Sequence, residues 1–202
     1  GVRAGATTAS IVYDDANRLS EVHDPPGQFV VVHTRVPLGG HGMDRPRVVR
    51  VCEELDALAT LTRHRVRFLL VGGHAVSAHG TPRTTEDMDL LVDRTLANGK
   101  RLRAALIEFG LGSFAPSAEE ILEPDTIWQF GRKPLRVDIL THIPAVSFEG
   151  AWRRRVTVDL GGIGIPVLGL DDLIANKRAA GRAKDQADAE MLEAVRALSR
   201  RR

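Results

Sequence analysis

A chain of 202 residues, 43% hydrophobic and 27% charged, has room for one domain with a sizeable core, or one domain and a tail, and is composed like an ordinary soluble globular protein. A net charge of +2 offers no argument for a nucleic-acid partner, and the single cysteine, Cys52, excludes an intramolecular disulfide and a thiol-ligated zinc site. No apolar stretch approaches the length that spans a bilayer, and no basic region followed by an apolar run marks a signal peptide, so a cytoplasmic location without membrane association is expected.

Residues 1 to about 45 differ from the rest. They hold six glycines before Met43, together with Pro25, Pro26 and Pro37, and show no long periodic pattern. Two short β-like runs, 9–13 and 29–33, lie within them. The sequence Met43-Asp44-Arg45-Pro46-Arg47 looks like a natural protein start. The expectation is a functional domain over 46–202, preceded by a poorly packed extension over 1–45. An N-terminal hairpin packed on the domain is the alternative.

From 48 to 63 apolar residues recur with 3-and-4 spacing, which predicts an amphipathic helix with Cys52 buried and Glu53, Glu54 and Asp56 outside. Residues 66–71 read as a buried strand. Gly72 and Gly73 then let the chain turn tightly into a short helix, roughly 74–79, before the turn Gly80-Thr81-Pro82. Residues 87–92 are the next strand, and 95–109 a second amphipathic helix ended by Gly110 and Gly112. A connection with one helical turn covers 115–124. Strands 126–130 and 135–140 form a hairpin around Gly131-Arg132-Lys133-Pro134, and strands 156–160 and 163–168 another around Gly161-Gly162. Asp171 is expected to cap a helix through Ala180, Gly181 to break it, and a last helix to cover about 184–198. The pattern predicts an α/β (α+β) fold, a mixed β-sheet flanked by helices and closed by C-terminal helices.

The chemistry concentrates at 66–93. Asp87 and Asp89 alternate with Met88 in a strand, so they point to one face, roughly 6.6 Å apart along the chain. Two carboxylates with nothing between them repel, and a hard divalent cation such as Mg²⁺, or Mn²⁺ in its place, relieves the repulsion. Asp138 is a lone acid in the apolar strand Leu135-Arg136-Val137-Asp138-Ile139-Leu140, where an unpaired carboxylate is costly. It is either the third ligand of a metal site for phosphoryl transfer or the partner of Arg136, which shares its face. The glycine pair, between a strand and a helix, leaves backbone N–H groups free for a phosphate. Arg83 could neutralise phosphate charge and Thr84 or Thr85 donate to it, or each could be a turn residue. No Gly-Lys-Ser/Thr follows, so this is not a Walker loop.

Gly72-Gly73, the short helix to Gly80, Arg83-Thr84-Thr85-Glu86-Asp87-Met88-Asp89 and the later Asp138 together resemble the DNA polymerase β-like nucleotidyltransferase superfamily. More narrowly, the chain is similar to small stand-alone prokaryotic nucleotidyltransferases related to abortive-infection and toxin–antitoxin nucleotidyltransferases. The Lys177…Arg182-Ala183-Lys184-Asp185 segment is similar to the pattern that closes many of them. The resemblance implies a polymerase β-like fold and a nucleoside triphosphate such as ATP, held at Gly72 and Gly73. It also implies metals on Asp87 and Asp89, and Asp138 as the third acid, ligating the catalytic metal and helping to deprotonate an acceptor hydroxyl. Lys177 could meet the triphosphate as a point charge. The superfamily often has Gly-Ser in the first motif; here the second position is Gly73, and Ser77 lies a turn further on. The acceptor could be a tRNA end, a protein hydroxyl or a small molecule. The competing readings are a non-catalytic binding module, acting as one partner of a toxin–antitoxin pair, and an α/β domain with incidental acids. The last requires Asp138 to lie far from Asp87 and Asp89.

Overall fold

The computed structural model describes the backbone of residues 10–13, 19–23, 29–37 and 47–51, and residues 54–85, 87–111, 115–130 and 136–200. In chain order the elements are β1 (Ser10–Tyr13), β2 (Leu19–His23), β3 (Phe29–Pro37), β4 (Arg47–Val51), α1 (Glu54–Arg63), β5 (Phe68–Leu70), α2 (Gly72–Ala78), β6 (Asp87–Val92) and α3 (Leu96–Glu108). A 3-10 turn at Glu120–Leu122 leads to β7 (Thr126–Phe130), β8 (Arg136–Leu140), α4 (Phe148–Arg154), β9 (Val156–Leu160), β10 (Ile163–Val167), α5 (Leu170–Ala180) and α6 (Ala183–Ser199). Among the described residues no helix is long and apolar enough to cross a membrane.

The protein is a mixed α/β sandwich. Six strands run in the spatial order β7-β8-β6-β5-β10-β9, and β3 and β4 continue the sheet beyond β7, while β1 and β2 pair with each other. Within the six, β8 runs parallel to β6 and β10 parallel to β5; the remaining neighbours are antiparallel. The burial of each strand follows its sequence. Phe68, Leu69 and Leu70 are buried without alternation, as expected for a central strand covered on both faces. In β6 only the second half is continuously apolar. Its first half alternates, so Met88 enters the core and Asp87 and Asp89 turn to the other face. Leu58 and Leu61 of α1, Leu102, Ala105 and Leu106 of α3, and Trp128 of β7 join the same core.

The end of the sheet remote from the acids is tied by Asn98, at the start of α3. Its side-chain oxygen accepts from the Arg67 backbone N–H at 2.7 Å, and its amide donates to the carbonyls of Arg67 and Asp93 at 3.0 Å each. The amide is 1% exposed and fully used, which locks β5 against β6 where both leave the sheet. The Arg67 guanidinium pairs with Asp93 and Glu149 and lies over the rings of Phe148 and Trp152, at 5.3 and 4.9 Å from their centroids. These contacts seat α4.

Several sequence expectations change. Residues 48–51 are not the first turn of a helix but part of β4, paired with β3, and the helix begins at Glu54. A run of β-branched valines fits a strand as well as it fits a 3-and-4 pattern, and strand pairing decides. The short helix starts at Gly72 rather than His74. Gly169, not Asp171, is the N-cap of α5; Asp171 and Asp172 lie in its first turn and pair with Arg196 and Arg154. The structure adds β2 and α4 to the elements expected from the sequence. Cys52, the proposed start near Met43 and the tip of the 131–134 hairpin lie outside the described residues.

Candidate functional site

The parallel register of β6 on β8 places Asp89 opposite Asp138 and Asp87 opposite Arg136. The side-chain period of two then puts all four groups on one face. They form the floor of a cleft of about 640 Å³, whose walls come from the Gly72–Gly73 turn, the Arg83–Thr85 segment and α5.

The glycine pair is demanded by this geometry. Gly72 has φ +63°, and a Cβ built there would come within 1.9 Å of the Asp89 Oδ2. The Asp89 carboxylate therefore rests directly against the Gly72 backbone. A Cβ at Gly73 would lie 2.8 Å from the Thr85 Oγ1, so Thr85 fills the space that a side chain at 73 would need. Gly72→Ala is expected to lower stability by about 1–3 kcal/mol through the positive φ and to displace Asp89, with loss of activity. Gly80, at φ +90° with nothing within 4 Å of its Cβ, is the control: Gly80→Ala should carry the backbone cost alone. Urea denaturation and a transfer assay on both variants check this, and equal activity in the two would refute the contact.

The charges in the cleft are unevenly matched. Asp138, 5% exposed, accepts from Arg136 Nε at 2.7 Å, from Arg136 Nη2 at 3.0 Å and from Gln129 Nε2 at 3.0 Å. Arg136 Nη2 also donates to Asp87. Asp89 makes no side-chain hydrogen bond or ion pair among the described residues. Burial, then the neighbouring Asp138 and Asp87 carboxylates, push its pKa up to about 6, against the opposing pull of Lys177 and Arg136.

On the α5–α6 side the cations are committed to one another's partners. Lys177 Nζ lies 2.9 Å from both Asp185 Oδ1 and Asp188 Oδ2. Arg83 reaches Asp188 at 3.0 Å and Arg182 reaches Asp185. Burial alone would push Asp185 up, but the hydrogen bonds from Lys177 and Arg182 outweigh it and hold its pKa below the ordinary carboxylate range. Lys177 is thus on the cleft wall with its side chain 5% exposed and its ammonium engaged by two aspartates.

Of the residues singled out in the sequence, Gly72, Gly73, Arg83, Thr84, Thr85, Asp87, Asp89, Asp138 and Lys177 line this cleft. Ser77 does not. Its hydroxyl donates to the carbonyls of Gly73 and Arg83, the local bond a helical serine makes one turn back. Asp185, read as a cap or an arginine partner, is a partner of both Arg182 and Lys177.

The donor set suits a hard divalent cation: three carboxylates on one face, one of them, the half-buried Asp89, without a side-chain partner and destabilised by the other two. Among the described residues no group of three or more His, Cys, Asp or Glu stands ready to hold an ion. The Arg136 guanidinium stands between Asp87 and Asp138 instead.

The family model described as a nucleotidyl transferase AbiEii toxin of a type IV toxin–antitoxin system matches residues 55–192. The chain belongs to the AbiEii family. It is therefore a member of a nucleotidyltransferase toxin family, and the expected resemblance holds at that level. No curated protein matches the chain. The AbiEii match opens in α1 and closes in α6, so it contains every cleft residue named above, while β1–β4 precede it.

Three features of this AbiEii-family cleft were not read from the sequence. Gln129 supports Asp138 from β7, a pairing that depends on strand register and carries no sequence signal. His142 lies on the cleft lip with its Nδ1 2.7 Å from Asp125. Ile127, Leu140, Ile143 and Pro144 form an apolar end beyond the acids.

Proposed function

We propose that the protein transfers a nucleoside monophosphate from a nucleoside triphosphate to an acceptor hydroxyl with release of pyrophosphate, using a divalent cation, Mg²⁺ or Mn²⁺, at Asp87, Asp89 and Asp138. The observation that carries the reading is the in-register placement of Asp89 against Asp138, facing the Gly72–Gly73 turn across one cleft. When bound, the cation supplies charge neutralisation for the phosphates. The chain's own residues position the rest. The Gly72–Gly73 backbone, Thr84, Thr85 and Arg83 receive the triphosphate from one wall. Lys177, held by Asp185 and Asp188, stands beside Arg83, which shares the Asp188 carboxylate with it. The acceptor oxygen attacks the α-phosphorus, the bond to the bridging oxygen of the β-phosphate breaks, and Asp138 takes the hydroxyl proton. Catalysis is positioning and electrostatics.

The acceptor is a tRNA end, a protein hydroxyl or a small molecule, and the cellular counterpart is an antitoxin, as the family's description of a type IV system suggests. One observation favours a second reading, a non-catalytic binding module: Arg136 already occupies two of the three acids. Incubation with each α-labelled triphosphate and cell extract, with and without Mg²⁺, separates the two. Metal-dependent transfer of label to one class of acceptor, lost in the Asp87→Asn/Asp89→Asn double variant, is the expected result. Transfer retained in a folded double variant would sink the assignment.

A further inference from the structure

Arg136 is the cation nearest the acids, and its pairing is specific. Its Nε and Nη2 bind the two oxygens of Asp138 at 2.7 and 3.0 Å, and the same Nη2 reaches Asp87. This fork bridges two strands, because Arg136 and Asp138 are two residues apart on β8 while Asp87 is the register partner of Arg136 on β6. The guanidinium thus holds two acids whose oxygens a divalent cation would need, and leaves Asp89 unpaired. Two cations cannot share one set of carboxylate oxygens without repelling each other. Arg136 is also a cleft residue, 22% exposed, on the same floor that the Gly72–Gly73 turn overlooks. Once displaced, its guanidinium has solvent and anionic ligand within reach of its own side chain.

We propose that Arg136 is a built-in counter-ion of the acidic site: it holds Asp87 and Asp138 together until a divalent cation displaces it, and then turns to the phosphates of the nucleotide. The proposal rests on the nucleotidyltransferase reading above. It has a thermodynamic consequence. Cation alone must displace the guanidinium with nothing to receive it, whereas cation and triphosphate together provide both a replacement for the acids and an anionic partner for Arg136. The two ligands therefore bind with positive coupling, which protects the acids from binding metal without substrate.

The test is direct binding, without catalysis. Mn²⁺ is titrated into the whole chain and free Mn²⁺ is read by its paramagnetic resonance signal, for the wild type, Arg136→Gln, Arg136→Lys and Asp89→Asn. Without nucleotide, Arg136→Gln is expected to bind Mn²⁺ about tenfold more tightly than the wild type, the factor that a modest competing interaction sets. Arg136→Lys, which keeps the charge but cannot bridge both strands, should fall between them. It decides the matter if the glutamine variant melts at a much lower temperature than the wild type. A non-hydrolysable triphosphate should tighten Mn²⁺ binding in the wild type by about tenfold and less in Arg136→Gln. If neither Arg136 variant binds Mn²⁺ more tightly than the wild type while Asp89→Asn abolishes binding, the counter-ion role is overturned and the metal site stands. If Mn²⁺ binding ignores Asp89→Asn as well, the metal site itself is wrong.

Discussion

Asp89→Asn is expected to lower the rate of nucleotidyl transfer by roughly a thousandfold or more, while making the metal-free protein more stable rather than less. The two effects share one cause. Asp89 sits against Gly72 with no partner of its own, and burial together with Asp138 and Asp87 pushes its pKa up to about 6. A folded-state pKa above the ordinary value means that the charged form opposes folding. The cost is absent below the usual carboxylate range and complete above about pH 6. At pH 7.5 in a chelator the neutral asparagine removes it, a gain on the order of 1–2 kcal/mol once solvent screening is allowed for. A urea midpoint that rises as activity disappears is the signature of a residue kept for chemistry at the expense of stability. A midpoint that falls by a comparable amount would show that Asp89 has a structural partner.

Lys177→Met is expected to have the largest effect on stability. Lys177 stands between Asp185 and Asp188 at 2.9 Å from each, and the three side chains are 5%, 0% and 4% exposed. Removing the ammonium leaves two buried carboxylates with only Arg182 and Arg83 to face them, and loss of one member of a buried ion network typically costs about 3–5 kcal/mol. The acid limb of the stability curve should move as well. Because the Asp185 pKa is held low, its contribution is present above the ordinary carboxylate pKa and is lost as pH falls through the lowered value. In Lys177→Met that loss should begin at higher pH. Denaturation midpoints from pH 7 down to pH 3 measure both effects. A change under about 1 kcal/mol at neutral pH would mean that α5 and α6 are joined by their apolar contacts alone.

The two variants also divide the roles of the cleft. On these expectations Asp89 serves chemistry rather than folding, since no side chain among the described residues pairs with it. Lys177 is the tie that holds α6 to α5 beside the acids. Arg83 is similar: it lines the cleft and at the same time reaches Asp188 across to α6. The α5–α6 pair is thus fastened to the glycine turn through side chains that the cleft also uses. Ser77, by contrast, bonds the local backbone at Gly73 and Arg83 and does not line the cleft.

What could be read in one dimension was local. The Gly72–Gly73 turn, the Gly161–Gly162 hairpin and the break at Gly181 all rest on backbone conformation or on short-range periodicity, which neighbouring residues largely set. Asp87 and Asp89 share a face for the same reason, since a strand repeats every two residues. The limits were also local in kind. The valines of 48–51 satisfy a helical and a strand pattern alike, and only pairing with β3 separates the two. The helix α4 has Phe148 and Trp152 four residues apart, but it is seated by Arg67, some eighty residues earlier in the chain.

The sequence by itself pointed to the family, put Asp87 and Asp89 on one strand face and set Gly72 and Gly73 at a turn, because these are residue types at short, fixed spacings. The tertiary structure alone decided that Asp138 stands in register with Asp89, that Thr85 fills the space beside Gly73, and that Arg136 and Lys177 are already paired. Those facts depend on strand register and on the packing of α5 against α6. Register and packing are set by the whole buried core, and no single stretch of the chain encodes them.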